Sequence, residues 1–170
     1  YTNKEIDDAL IEEILESAIY APTHKRTEPW RFVVFKDSGK TKLATAIASL
    51  YKASTTEENF LEKKYNSFFE KAEQAGCIVA IVASLHPEKL PEWEEIAAVG
   101  CAVQNIALTS TAHGLGGYWS SPGVISGLGS FLSLEANERC LGLYYLGYHE
   151  EAPRNAIRVP IERKLTWVKG

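Results

Sequence analysis

The sequence predicts one α+β domain, on three observations. Segments with an apolar residue every three or four positions interleave with short runs rich in Val, Ile and Phe, the patterns of helices and strands. Their order is not the regular strand–helix alternation of a doubly wound parallel sheet. Finally, the 170 residues, 45% apolar, show no internal repeat, linker or break in composition, and a chain of that length can bury one core.

Taken in order, Thr2-Asn-Lys-Glu5 has the capping-box pattern of a helix start. Ile6, Leu10, Ile14 and Ala18 then form one apolar stripe, with Asp7, Asp8, Glu12, Glu13 and Glu16 on the wet side, and Pro22 ends the helix. Thr23–Glu28 is a polar loop before Pro29 and the strand Trp30–Phe35, with Trp30 as a core anchor. Asp37-Ser-Gly opens a second helix that buries Leu43, Ala46, Ile47 and Leu50. Thr55-x-x-Glu58 is another capping box, followed at helical spacing by Phe60, Leu61, Tyr65, Phe68 and Phe69. Cys77–Leu85 is dense in Val, Ile and Ala without alternation, as in a strand covered on both faces. A long helix runs from about Pro91 to His113, spanning about 34 Å, and Gly114 stops it. Tyr118–Gly123 reads as a loop, the stretch around Phe131–Ala136 as helical, and Leu141–Tyr148 as a central strand. From Glu150 the tail is polar and Arg-containing, with a last apolar stretch at Leu165–Val168.

Composition excludes several classes. No apolar run approaches the ~20 residues of a membrane span, and a net charge of −4 gives no general basic footprint for nucleic acid. Cys77, Cys101 and Cys140 are odd in number, far apart and in apolar surroundings, which predicts free thiols in a reducing cytoplasm. The chain holds no Met, even at position 1, so a segment before Tyr1 is expected to be missing and internal Met residues could have been lost.

Phosphate-loop, dinucleotide-fingerprint, zinc-protease and nucleophile-elbow motifs do not occur, the four histidines show no metal-ligand spacing, and no Ser or Cys has a nearby base. Gly114–Gly117 follows a helix instead of opening one, which makes it a helix stop and turn. Two segments stand out. In Ala21-Pro-Thr-His-Lys-Arg-Thr-Glu-Pro-Trp-Arg-Phe32, three basic or titratable residues lie between two prolines, a solvated surface loop on composition alone. The long helix carries small residues at Ala97, Ala98, Gly100, Cys101 and Ala102, fit for a crowded core or for a symmetric contact.

The series A-P-x-H-K-x-x-x-P-W-x-F, P-x-W-E, G-C-A-V, G-x-G-G-x-W-x-S and Y-L-G, running in order from about Glu5 to Tyr148, resembles the flavin-dependent nitroreductase family, in particular its small bacterial members of the YdjA type. The resemblance implies a single domain over residues 1–170 with a nitroreductase-like α+β fold: a central mixed, mainly antiparallel sheet flanked by helices, and a long central helix at a dimer interface. It implies an FMN-binding homodimer that acts on a small-molecule electron acceptor, without nucleic acid, membrane or metal. Matched by motif, Tyr20, His24, Lys25 and Arg26 form a first cofactor segment near the flavin, and Trp119, Ser120 and Ser121, from the partner subunit, a second against its isoalloxazine. Tyr20, at the end of an apolar helix face, could equally be core. Arg163 or Lys164 in the tail is placed as a second phosphate contact, and Thr109, Ser110, Thr111, Ala112, His113 and Gly114 as the nicotinamide-dinucleotide segment.

The implied function is oxidoreduction, with hydride passing from NAD(P)H through flavin N5 to a nitroaromatic, quinone or similar acceptor. The alternative is a dimeric flavin-binding storage or sensor protein without efficient turnover. Reduction leaves negative charge near flavin N1 and O2, which a cation such as Lys25 or Arg26 would stabilise. Flavin N5 needs a donor; Pro122 has no N–H, which leaves the amide of Ser121 or Gly123. No side chain is marked as a general acid, so the flavin carries the chemistry.

Overall fold

The structure is a computed structural model that describes residues 1–152 and 156–170, so residues 153–155 of the polar tail lie outside the described residues. Its helices are α1 (Asp8–Ala18), α2 (Ser38–Ser54), α3 (Glu62–Gln74) and α4 (Glu92–Ala112), and its strands β1 (Trp30–Phe35), β2 (Cys77–Ser84), β3 (Leu115–Ser120) and β4 (Glu138–Tyr148). The strands form one sheet in the order β1-β2-β4-β3, with every pairing antiparallel.

β2 explains why the sheet has two cores. Val79, Ile81 and Ala83 face α1 and α4, where Ile11, Ile14, Val99 and Ile106 meet them. Ile78 and Ala80 face α2 and α3, against Leu43, Ile47, Phe68 and Ala72. Both faces of the strand are dry, as its unbroken apolar run predicts. Truncating Ile81 to Ala would cost roughly 2–5 kcal/mol, since the residue is fully buried.

Several expected element starts move, each for a tertiary reason. Thr2 does not cap α1. Its N–H donates to Tyr148 O at 2.7 Å, which ties the first residues to the end of β4, and Asp7 caps instead by accepting from the Ala9 N–H. The helix also ends before Pro22, at Ala18. The Thr55 capping box is not used either: α3 starts at Glu62, because the Tyr51 ring stacks on Phe60 at 5.5 Å and its hydroxyl accepts from the Leu61 N–H at 2.9 Å, holding residues 55–61 in an irregular turn. Phe131–Ala136 is a set of turns, not a helix; one helical turn lies earlier, at Ile125–Leu128, and Ser133 takes φ 51°, which breaks any continuation. The segment read as a loop at Tyr118–Gly123 begins as strand, since β3 reaches Ser120.

Antiparallel register collects particular ends. Ser120, the last residue of β3, pairs with Leu143 at the middle of β4, while Trp30 pairs with Ala83 and Ser84 with Glu138, so the starts of β1 and β4 and the finish of β2 share one end of the sheet. α4 begins there and runs its 21 residues, about 30 Å, to the opposite end. Gly114 then takes φ 74°, the left-handed stop its place in the sequence predicts.

Candidate functional site

Both cofactor segments named from the sequence lie on the α1/α4 side, loop 23–28 at the β1 edge of the sheet and the end of β3 at the opposite edge. The first is loop 23–28. Lys25 (φ 50°), Arg26 (φ 53°) and Glu28 (φ 44°) are non-glycine residues in the left-handed region, each costing on the order of 1 kcal/mol. Several bonds hold the loop. His24 Nδ1 lies 2.6 Å from Glu94 Oε2, Lys25 Nζ donates to Lys89 O at 2.7 Å, and the Glu28 N–H donates to Thr23 Oγ1 at 3.1 Å. Behind it, Pro29 is buried and its carbonyl accepts from the Ser84 N–H at 2.7 Å. Arg26 is exposed and has no hydrogen-bond or ion-pair partner among the described residues. Of the two cations considered for the cofactor, Lys25 is engaged and Arg26 is available. Tyr20 is 77% exposed, which settles it as surface and not core.

The second segment is the end of β3 and the turn after it. Trp119 shares its strand face with the buried Leu115, two positions apart twice over, and so points to the α1/α4 side. It is 40% exposed, and its indole occupies the space left open by the missing side chain of Gly142 on β4. Tyr118 faces the other way and stacks on Tyr145 at 5.0 Å. Beyond Ser120 and Ser121, Pro122 O accepts from the Ile125 N–H at 2.9 Å, while the amides of Ser121 and Gly123 have no acceptor among the described residues.

Beneath loop 23–28 lies a polar support that the sequence did not reveal. Glu95 is buried and accepts from the His86 N–H at 2.7 Å and from His86 Nδ1 at 2.9 Å. Burial alone would raise its pKa, but those two bonds, the Thr27 hydroxyl and the His86 charge together lower it, so the carboxylate stays ionised. Glu95 also lines a cavity of about 310 Å³ with Leu85, Pro87, Glu92, Ala136, Asn137 and Arg139. That cavity holds none of the candidate residues. A more open groove of about 560 Å³ runs beside it along α4, past Pro22, His24, Trp93, Glu94 and Cys101.

Other expected residues are not brought to loop 23–28. Thr109–Gly114 lies at the far end of α4, where His113 Nε2 meets Glu13 Oε1 at 3.1 Å. There Ser110 is buried and donates to Ile106 O, and Thr111 donates to Ala107 O, so both hydroxyls serve their own helix. Arg163 sits in a one-turn helix, Ile161–Arg163, of a tail whose described residues from 149 onward are all exposed. Ser120 is half-buried and Ser121 exposed. Cys77 and Cys140 are buried, whereas Cys101 is exposed, contrary to the apolar surroundings expected for all three. Two signals in the sequence could have pointed to the missed residues: Glu94 belongs to the quoted P-x-W-E motif, and an isolated glycine within a strand, such as Gly142, marks a close approach. Among the described residues no cluster could hold a metal ion, and no helix is long and apolar enough to cross a membrane.

The profile of the Nitroreductase family matches residues 1–148. YdjA of Escherichia coli K12, whose name assigns it provisionally to the NAD(P)H nitroreductases, is 26% identical over 153 residues, 88% of this chain and 81% of its own. The crystal structure of a nitroreductase-like family protein from Bacillus cereus superposes with a TM-score of 0.88 at 27% identity, covering 100% of this chain and 89% of that one. NfnB, an FMN- and NADPH-dependent nitroreductase from a Sphigopyxis strain, shares the fold at a TM-score of 0.78 and 15% identity, over 98% of this chain and 92% of its own.

Proposed function

Because the chain belongs to the nitroreductase family, we propose that it is an FMN-dependent oxidoreductase drawing electrons from NAD(P)H for an electron-poor small molecule such as a nitroaromatic or quinone. One observation carries the reading: on the α1/α4 side of the sheet, loop 23–28 at the β1 edge and the end of β3 at the opposite edge both present groups suited to a flavin, so that two copies of the chain would supply them to one site. They present an exposed indole, two amides without acceptors and an uncommitted guanidinium. That donor set fits FMN, a planar ring with acceptor atoms on one edge and a phosphate on its chain.

Bound FMN supplies the electron-transfer chemistry; the chain supplies position and charge. Trp119 offers a flat apolar wall, and Gly142 lets it lie close to β4. The Ser121 or Gly123 N–H donates where Pro122 cannot. Arg26 would supply a positive charge to stabilise the negative charge of the reduced ring. Proton supply falls to solvent.

The site is half of a pair. Along the outer face of α4, Trp93, Ala97, Cys101, Gln104 and Leu108 are exposed at helical spacing; Trp93 is 67% and Leu108 60% exposed. Such a stripe, with small residues at its middle, suits a second copy crossing closely. An antiparallel partner on α4 carries its own Thr109–Gly114 toward the first copy's His24, which is how a dinucleotide segment at the far end would serve the site. The exposed tail with Arg163, Trp167 and Val168 is available to the same assembly. Three free thiols accord with a reducing, cytoplasmic setting.

The test is an FMN titration by fluorescence quenching, with mass measured by light scattering on the same samples. The proposal expects one FMN per chain and two chains per particle; no quenching, or quenching by a single chain, contradicts it.

A further inference from the structure

We propose that Glu94 is a positioning residue: by accepting from His24 Nδ1 it fixes the imidazole in the tautomer whose Nε2 is a bare acceptor, presented outward from loop 23–28. The inference rests on the reading of that loop as part of the FMN site.

The pair is close, 2.6 Å, although it joins residues 70 positions apart. A carboxylate oxygen can only accept, so the ring hydrogen belongs on Nδ1 and a neutral His24 keeps a lone pair on Nε2. Among the described residues Nε2 has no partner. The His24 side chain is 60% exposed and that of Glu94 is 23%, so the pair adds little to stability; its value is orientation.

Both sides of the pair are fixed from elsewhere. On the helix side, the next residue is Glu95, buried and bound twice by His86, which pins the first turn of α4. On the loop side, Lys25 Nζ is bound to Lys89 O at 2.7 Å, in the same connection that carries His86. The left-handed backbone at Lys25 and Arg26 limits the loop's freedom further. Loop 23–28, residues 86–90 and α4 thus close a ring of ties, each bonded to the next. An Nε2 acceptor held in this way suits a ligand hydroxyl or ring N–H. FMN carries both, on its ribityl chain and at N3.

The experiment is nitrogen-15 spectroscopy of the histidine side chains at mildly alkaline pH, where imidazole is neutral, with His24→Gln to assign the His24 signals. Wild type should show the Nδ1–H tautomer. Glu94→Gln keeps an oxygen that accepts and should keep that tautomer; Glu94→Leu should release His24 to the Nε2–H form. FMN dissociation constants measured alongside should rise about tenfold in Glu94→Leu, one lost hydrogen bond to His24 Nε2, and change less than about threefold in Glu94→Gln. An Nε2–H tautomer in wild type, or wild-type affinity in Glu94→Leu, overturns the proposal. Should Glu94→Leu fail to fold, the wild-type tautomer still decides. Should wild type bind no FMN, the reading of the site falls while the tautomer tests Glu94 on its own.

Discussion

The indole of Trp119 on β3 stands where a side chain on Gly142 of β4 would go: a Cβ built there overlaps indole Nε1 and Cδ1. Gly142→Ala must therefore displace the indole and also shift the β3 backbone, since the same Cβ lies 2.7 Å from Ser120 O. The expected result is a shift in Trp fluorescence and a stability loss of about 1–3 kcal/mol from overpacking. Flavin affinity should fall with it. Ala at Gly123, where a Cβ meets nothing within 4 Å, is the control and should leave fluorescence unchanged.

Arg26 and Lys25 are adjacent cations with different work. Arg26→Ala removes an exposed side chain with no partner among the described residues, so stability should stay within about 0.5 kcal/mol while FMN affinity drops about tenfold. Lys25→Ala breaks the bond to Lys89 O and should loosen the loop. Limited trypsin digestion at Arg26 is the readout: faster cleavage in Lys25→Ala than in wild type is expected.

Glu138 anchors the same end of the sheet. Arg31 grips it with two bonds, 2.6 and 2.7 Å, and Ser84 and the Glu135 N–H add two more. The Arg31 bonds, helped by these, outweigh burial and lower its pKa to about 2. A carboxyl lowered on folding stabilises the native state above its unfolded pKa and loses that contribution as pH falls through the folded value. The contribution, on the order of 2–3 kcal/mol, should vanish between about pH 5 and pH 2. Glu138→Gln should lower stability at neutral pH and flatten the acid limb of a denaturation series over that window.

The α4 stripe predicts the assembly. Leu108→Glu, about four helical turns from the Glu94 that binds loop 23–28, places a charge on a face that a second copy would bury. Light scattering should report single chains at micromolar concentration, and flavin should be lost with the partner. Retention of the paired state would move the interface elsewhere.

Where neighbours in sequence decide a structure, it was legible. The unalternated Val, Ile and Ala of β2 told of two dry faces, and Gly114 after α4 told of a stop. The failures have one cause, contacts between residues far apart in the chain. Thr2 has the chemistry of a cap, but its amide is taken by Tyr148. Gly117 and Trp119 look like loop residues, yet they form strand because Gly117 makes way for Tyr144, and Gly142 for the indole. In the candidate site, His24, Lys25, Arg26 and Trp119 are singled out by motif alone. Glu95 was hidden among the acidic residues of a first helical turn, where a solvated face is the usual reading.

The central claim is that electrons from NAD(P)H reach FMN held by this chain. The direct measurement is anaerobic: FMN-loaded protein is mixed with NADH or NADPH and the yellow absorbance followed, then a nitroaromatic is added. The account predicts bleaching by at least one of the two reductants and recovery of colour with the nitro compound consumed. Flavin that stays oxidised with both would contradict it and leave a flavin-binding storage or sensor protein.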